Sequence, residues 1–432
     1  MSSWLKRSSW TQCRGLFQTS KKSPRNKGLP PIPVNLVLAI VLFLTACGSE
    51  KKEEKAPQGF EELVERVVVK PEDQAMVEED RLYKIGVIGP LTGEEAEFGR
   101  MTLDGVMLAK EVLDSSGGIN GHNIDVVYFD NGGKEDSTKS GMIRFIEDDK
   151  VVAIISAPTG WATFGPVYIA NENSTIQISA GTRRHIGRSG PFIFRNSLPG
   201  EKAAERLMKY AVEKKGMKTF ALVTVMEDEG LSISSFFRMA VQSAGASITS
   251  EGHIFTGLDI KEVVNTVKKA GQTDAVIFVG GPEDAVLFLK AASKAGIKAP
   301  LIGGEELYSE KLLKEAGDML EGSLVYASFS VLDNDPHTKK FIELYRNKKG
   351  VAPTLFVAEA YDSFMLIADA LLKAGAPKPS LVRDRLAETK GFRGVAGAID
   401  MDSEGEAVRA PYILNVERDG DGVRFVLAAT SH

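Results

Sequence analysis

From Tyr83 onward the chain repeats one pattern, a short β-branched run followed by a segment with apolar residues at helical spacing. The early runs are YKIGVIG, IDVVYFD, VVAIIS and TIQIS; TFALVTVM, SITSEGHIF, DAVIFVGG and PLIGG follow later. Between the first two lies TLDGVMLAKEVLDSSGG, with Leu103, Val106, Ala109, Val112 and Leu113 on one side and Gly117 at its end. Strand and helix in alternation predict parallel sheets covered by helices on both faces. The alternation breaks three times, near Pro199-Gly200, in SLVYASFSVLDNDPH and in APYILNV. About 350 residues follow Tyr83, more than one hydrophobic core normally organises. The pattern therefore predicts an α/β fold of two doubly wound parallel-sheet lobes joined by three hinge crossings. The lobes are residues 83–198 with 329–410, and residues 199–328 with 411–432. Such a pair leaves a cleft that can open and close about the crossings.

Upstream, the apolar run Val34–Ala46 is shorter than the roughly 20 residues of a bilayer-spanning helix. Arg14, Lys21, Lys22, Arg25 and Lys27 precede it, and no acidic residue appears before Glu50. A positive flank, a short apolar core and small residues at its end are the layout of an export signal. Leu44-Thr45-Ala46-Cys47 resembles the bacterial lipobox, in which the cysteine is lipidated and becomes the first residue of the mature chain. Residues 1–46 are thus expected to be a lipoprotein signal peptide, with Cys47 as the lipidation site and the membrane as a partner through that anchor. Residues 47–82 form a charged tether, in which Phe60, Leu63, Val64 and Val67 are spaced for a short helix. The only other cysteine is Cys13, within the leader, so no structural disulfide is expected and the body is indifferent to redox compartment. The net charge of −5 includes the basic leader, so the mature protein is more acidic still, which argues against nucleic acid as a partner.

The segment IGVIGPLTGEEAEFGRMTLDGVMLAKEVLDSSGGINGHNIDVVYFDNGG resembles the opening of type I periplasmic solute-binding proteins of the leucine/isoleucine/valine-binding family. The matching residues are Pro90-Leu91-Thr92-Gly93, Gly99 and Gly117-Gly118-Ile119-Asn120-Gly121. DKVVAIISAPTGWATFGPVYIANENSTIQISAGT and AEAYDSFMLIADAL resemble later family segments, so the likeness runs from Tyr83 to about Val426. It implies a periplasmic or cell-envelope receptor that captures a small molecule, typically an amino acid, and delivers it to the ABC permease of an ATP-driven importer.

The residues themselves point to the same kind of site. In open α/β folds ligands gather at the carboxyl ends of strands. Three small polar loops lie there: APTGWAT after Ser156, SAGTRRH after Ile178 and GGEELYS after Ile302. Backbone N–H groups at a helix N-terminus are donors for a carboxylate. The resemblance places the family's carboxylate-binding serine at Gly160, where the hydroxyl is lost and Thr159 or Thr163 is the nearest substitute. It places the family's threonine at Thr182 and its ammonium-binding acid at Glu305. An aromatic position falls near Glu229, and one often held by tyrosine at Pro282. Specificity for a branched aliphatic side chain is correspondingly reduced. Trp161, in a glycine-flanked loop, reads as a cover for the ligand or as a core residue. Arg183, Arg184 and His185 read as a solvated run or as partners of a second anionic group; Glu227, Asp228 and Glu229 could answer them or meet a cationic ligand.

Nothing marks an enzyme. The five histidines are scattered with no pair at metal-ligand spacing, and neither a Gly-x-Ser-x-Gly elbow nor a Gly-x-x-x-x-Gly-Lys loop occurs. No cofactor and no metal are expected. Two alternatives remain within the fold: a ligand-sensing receptor for a membrane signalling protein, and a structural envelope lipoprotein with a degenerate cleft.

Overall fold

The computed structural model describes residues 83–182, 185–227 and 230–429. The expected signal and tether with Cys47, and the cleft candidates Arg183, Arg184, Asp228 and Glu229, lie outside the described residues.

Strands β1 (Tyr83–Gly89), β2 (Ile124–Asp130), β3 (Ala153–Ser156), β4 (Ile176–Ala180) and β5 (Ile193–Asn196) form a sheet in the order β2-β1-β3-β4-β5. Every pairing in it is parallel. Helices Ala96–Ser115 and Glu135–Glu147 make the first crossovers. All four residues of β3 are buried, as a strand covered on both faces requires. The helix Leu355–Ala374 returns to this sheet and is buried around nearly its whole circumference from Val357 to Ala368. A helix apolar all round belongs in a core. This one nevertheless buries Glu359 and Asp362.

The second sheet contains β6 (Thr219–Val225), β7 (Ser247–Ile254), β8 (Ala275–Val279), β9 (Leu301–Gly303) and β10 (Leu324–Ala327). Successive side chains of β6 alternate between its two faces. Phe220 and Leu222 join one core, Ala221, Val223 and Val225 the other. Each fully buried Val, Leu, Ile or Phe adds roughly 1.5–3 kcal/mol. Strands β11 (Phe392–Gly394), β12 (Gly397–Met401) and β13 (Ala407–Val408) form a small antiparallel sheet that packs on the first core. It has no counterpart in the alternating pattern.

One expectation is corrected. The second sheet is mixed, because β14 (Tyr412–Asp419) pairs antiparallel with β10, and β15 (Gly422–Ala429) antiparallel with β14. The turn Asp419-Gly420-Asp421-Gly422 leaves no room for a crossover helix, so the chain can only fold back as a hairpin.

The chain passes between the two sets of cores over very few residues. Phe194 lies in the first core and Leu198 in the second; Ala327 in the second and Phe329 in the first; Ala407 in the first and Tyr412 in the second.

Candidate functional site

The loops that follow β3 and β4 leave one edge of the first sheet, and those that follow β6, β8 and β9 leave one edge of the second, because the strands within each group run parallel. The Pro90-Leu91-Thr92-Gly93 segment is fixed at the first edge by Asp130. Its carboxylate accepts the Leu91 N–H at 2.8 Å, the Gly132 N–H at 2.9 Å and the Thr92 hydroxyl at 2.8 Å. Burial pushes the Asp130 pKa up, but these donors outweigh it and hold the carboxyl below its usual range.

Gly160 opens the short helix Gly160–Phe164 with φ of 47°, and nothing lies within 4 Å of the position a side chain would take. Trp161 beside it is 67% exposed and stands edge-on to Phe164 at 6.5 Å. Of the two hydroxyl substitutes, Thr163 is engaged within its own loop. Thr163 is buried; its hydroxyl donates to the Ala157 carbonyl and accepts the Thr159 N–H at 3.2 Å. That geometry shapes the loop from within.

Thr182 is buried after β4, but the next helical turn begins only at Gly187, so it caps no helix. Its carbonyl accepts Arg195 Nη1 at 2.9 Å. Arg195 in turn bonds Glu406 through Nε, and Glu406 accepts the Gly187 N–H at 2.9 Å. His185 Nδ1 lies 3.6 Å from the same carboxylate, so this member of the Arg183–His185 run faces Glu406. Burial alone would raise the Glu406 pKa; His185, Arg195 and the Gly187 amide outweigh it and lower it. Thr182 and Gly187 are thus both stapled to the Arg195–Glu406 ion pair, which joins β5 to the start of β13 and is nearly dry.

In the second sheet, Pro282 takes the first position of the helix Pro282–Lys294 after Gly281, where its missing N–H costs nothing. Glu227 is exposed after β6. Glu305 opens the 3₁₀ turn Glu305–Leu307, and its Oε2 accepts both the Ser328 N–H at 3.0 Å and the Ser328 hydroxyl at 2.7 Å.

A second group of residues was not foreseen. Glu359 is fully buried against Gly181: a Cβ at Gly181, whose φ is 85°, would lie 3.1 Å from Glu359 Oε2 and 2.7 Å from Phe356. Arg409 approaches Glu359 at 3.5 Å and Asp362 at 4.0 Å, and donates to Asn196 Oδ1 at 2.5 Å. Asn196 Nδ2 donates to the Glu359 carbonyl at 2.8 Å and to Ser363 Oγ at 3.0 Å. Desolvation pushes the Glu359 pKa up to about 8, against the pull of Arg409. Burial raises Asp362 to about 6, opposed by Arg409 and by the N–H groups of Val395 and Ala396. The one sequence signal for this cluster was Glu359 and Asp362, two of three carboxylates inside the apolar run AEAYDSFMLIADAL. Among the described residues no group of three or more His, Cys, Asp or Glu is placed to hold a metal ion.

The profile of the periplasmic binding protein family matches residues 83–421. The leucine-, isoleucine-, valine-, threonine- and alanine-binding protein of Pseudomonas aeruginosa is 26% identical over 334 residues, covering 75% of this chain and 86% of that protein. The Leu/Ile/Val-binding protein homolog 2 of Brucella abortus is 25% identical over 346 residues, covering 79% and 92%. Among solved structures, an ABC transporter substrate-binding protein from Sphaerobacter thermophilus superposes with a TM-score of 0.70 at 22% identity, over 81% of this chain and 97% of that one. The substrate-binding protein LivJ of Streptococcus pneumoniae, solved with isoleucine, gives 0.64 at 24% identity, over 80% and 100%. Two sheets with their loops turned to one edge each, and a match across nearly all the described residues, lead to one conclusion: the chain belongs to the periplasmic binding protein family and has its type I fold.

Proposed function

We propose that the chain is a lipid-anchored periplasmic receptor that captures a free amino acid between two lobes and presents it to an ABC importer. The lobes are residues 83–198 with 329–410, and residues 199–328 with 411–432, and the solute would lie between their facing loops. The observation that carries the reading is Glu305, a carboxylate held by two hydrogen bonds at the carboxyl end of β9. A zwitterion buried in a closed cleft must have both charges paired, since an unpaired buried charge is very costly. Backbone N–H groups in the Gly160 and Thr182 loops serve the solute carboxylate, and Glu305 serves its ammonium. Gly160 and Pro282 contribute no side-chain hydrogen bond of their own. Recognition on this reading rests on the head group more than on a fixed aliphatic pocket. The amino acids named for the Pseudomonas relative, from alanine to leucine, span such a range.

Calorimetric titration with leucine, isoleucine, valine, threonine and alanine tests the reading. Glu305→Ala should weaken whichever binds by roughly two to three orders of magnitude, because removing one partner of a buried pair costs about 3–5 kcal/mol. Its melting temperature without solute should fall by only a few degrees, the cost of leaving the buried Ser328 donors without their acceptor. A variant that binds that amino acid as tightly as the wild type overturns Glu305 as the ammonium partner. The anchor is tested separately. Cys47→Ser should yield a protein that is not acylated and does not sediment with membranes; acylation at any other residue overturns that part.

A further inference from the structure

The loop that carries Glu305 does more than follow β9. It is bonded at two points to the segment by which the chain leaves the second sheet for the first core. Ser328 gives Glu305 both its backbone N–H and its hydroxyl, and two residues on Ser330 Oγ lies 3.1 Å from the Tyr308 hydroxyl. Ser328 and Ser330 are both buried, at 1% and 0% exposure. Tyr326, two residues before Ser328, is packed in the second core, stacked with Phe237. Phe329, immediately after it, is packed in the first, edge-on to Phe341 at 5.9 Å. Ser328 is therefore the last residue before the chain changes cores.

Any rotation of one core against the other about this segment must alter the torsions between Ala327 and Phe329. The N–H and hydroxyl of Ser328 turn with those torsions, and the Glu305 carboxylate is tied to both. A charged acceptor with two donors on one oxygen is constrained in direction by those donors. We propose that Ser328 is a positioning residue: it aims the Glu305 carboxylate at the solute ammonium and makes that aim depend on the angle between the lobes. The inference rests on the reading of Glu305 as the ammonium partner. It supplies what ligand-driven closure needs, a contact whose strength differs between two lobe orientations.

The test is a double-mutant cycle on the full chain, with leucine, isoleucine, valine, threonine and alanine as probes, by calorimetry and, for weak variants, by equilibrium dialysis at millimolar probe. Ser328→Ala keeps the N–H and loses the hydroxyl donor. It should weaken binding about 10- to 100-fold, the scale of a hydrogen bond to a charged group. Ser328→Thr restores a hydroxyl and should return affinity to within about threefold of the wild type. In the Glu305→Ala background, Ser328→Ala should change affinity by less than about twofold, since the group it aims is gone. Unchanged affinity in Ser328→Ala, or an equal loss in both backgrounds, overturns the inference and leaves the amino-acid reading standing. Failure of the wild type to bind any of the five probes overturns both, and shows in the wild type alone.

Discussion

Glu359 sits beside Gly181 with, among the described residues, no hydrogen-bond donor on either carboxylate oxygen, facing Arg409 and Asp362, with Glu305 and Arg195 also within electrostatic reach. Burial favours its neutral form, and the pKa near 8 stands well above the 4.5 of an ordinary glutamate. The sign follows directly. Between these two values the unfolded chain has lost the proton and the folded chain retains it, so stability falls as pH rises through that window. The contribution is complete below about pH 4.5 and is gone above about pH 8. Glu359→Gln mimics the neutral acid. It should flatten the decline in melting temperature between pH 5 and pH 8, and at pH 8 should exceed the wild type by roughly 1 kcal/mol or more, a few degrees. Parallel pH profiles for the two proteins would show that the carboxyl is ionised in the folded chain.

The small sheet of β11 to β13 is held to β5 by Arg195 and Glu406, both nearly without solvent contact. Glu406→Ala leaves a buried guanidinium without its carboxylate and should cost about 3–5 kcal/mol in chemical denaturation. Arg188 and Glu404 make a neighbouring pair between the same segments, but both are well exposed. Glu404→Ala should cost at most about 1 kcal/mol. Equal costs would mean that burial does not set the strength of these pairs.

These elements also show what could be read from the chain and what could not. AIIS and AVIFV are short apolar runs closed by polar or glycine loops, and they appear as the central parallel strands they suggest. The hairpin β14–β15 begins where the alternation broke at APYILNV, and its turn Asp419-Gly420-Asp421-Gly422 was the available signal. Glu305 and Gly160 stood out because a family motif marks their loops. Ser328, Glu359 and Arg409 did not, because their partners lie elsewhere in the chain: Asn196 meets Glu359 across 163 positions and Arg409 across 213. Local pattern carries no information on such pairings. Hydroxyl substitutes for Gly160 were sought among neighbouring threonines, yet Thr163 is spent on its own loop.

Three short passages join the two sets of cores, near 195–197, 327–328 and 408–411. Closure about them should reduce the radius of gyration when a bound amino acid favours the closed form. Small-angle scattering with and without a solute shown to bind by calorimetry measures this directly. An unchanged radius with a saturating solute would count against lobe closure.

The place of β14 has a consequence for how the chain is made. Strand β10 ends at Ala327, but the neighbour that covers its outer edge begins only at Tyr412, after the helices Pro336–Lys349, Leu355–Ala374 and Pro379–Ala387 and the small sheet. During synthesis, or while emerging from an export channel, the parallel part of the second sheet can assemble with one edge unpaired. An unpaired strand edge is a template for other chains. Until Tyr412–Asp419 arrives, that edge needs a chaperone or speed to protect it, and a chain interrupted before it should aggregate through β10 rather than merely bind solute poorly.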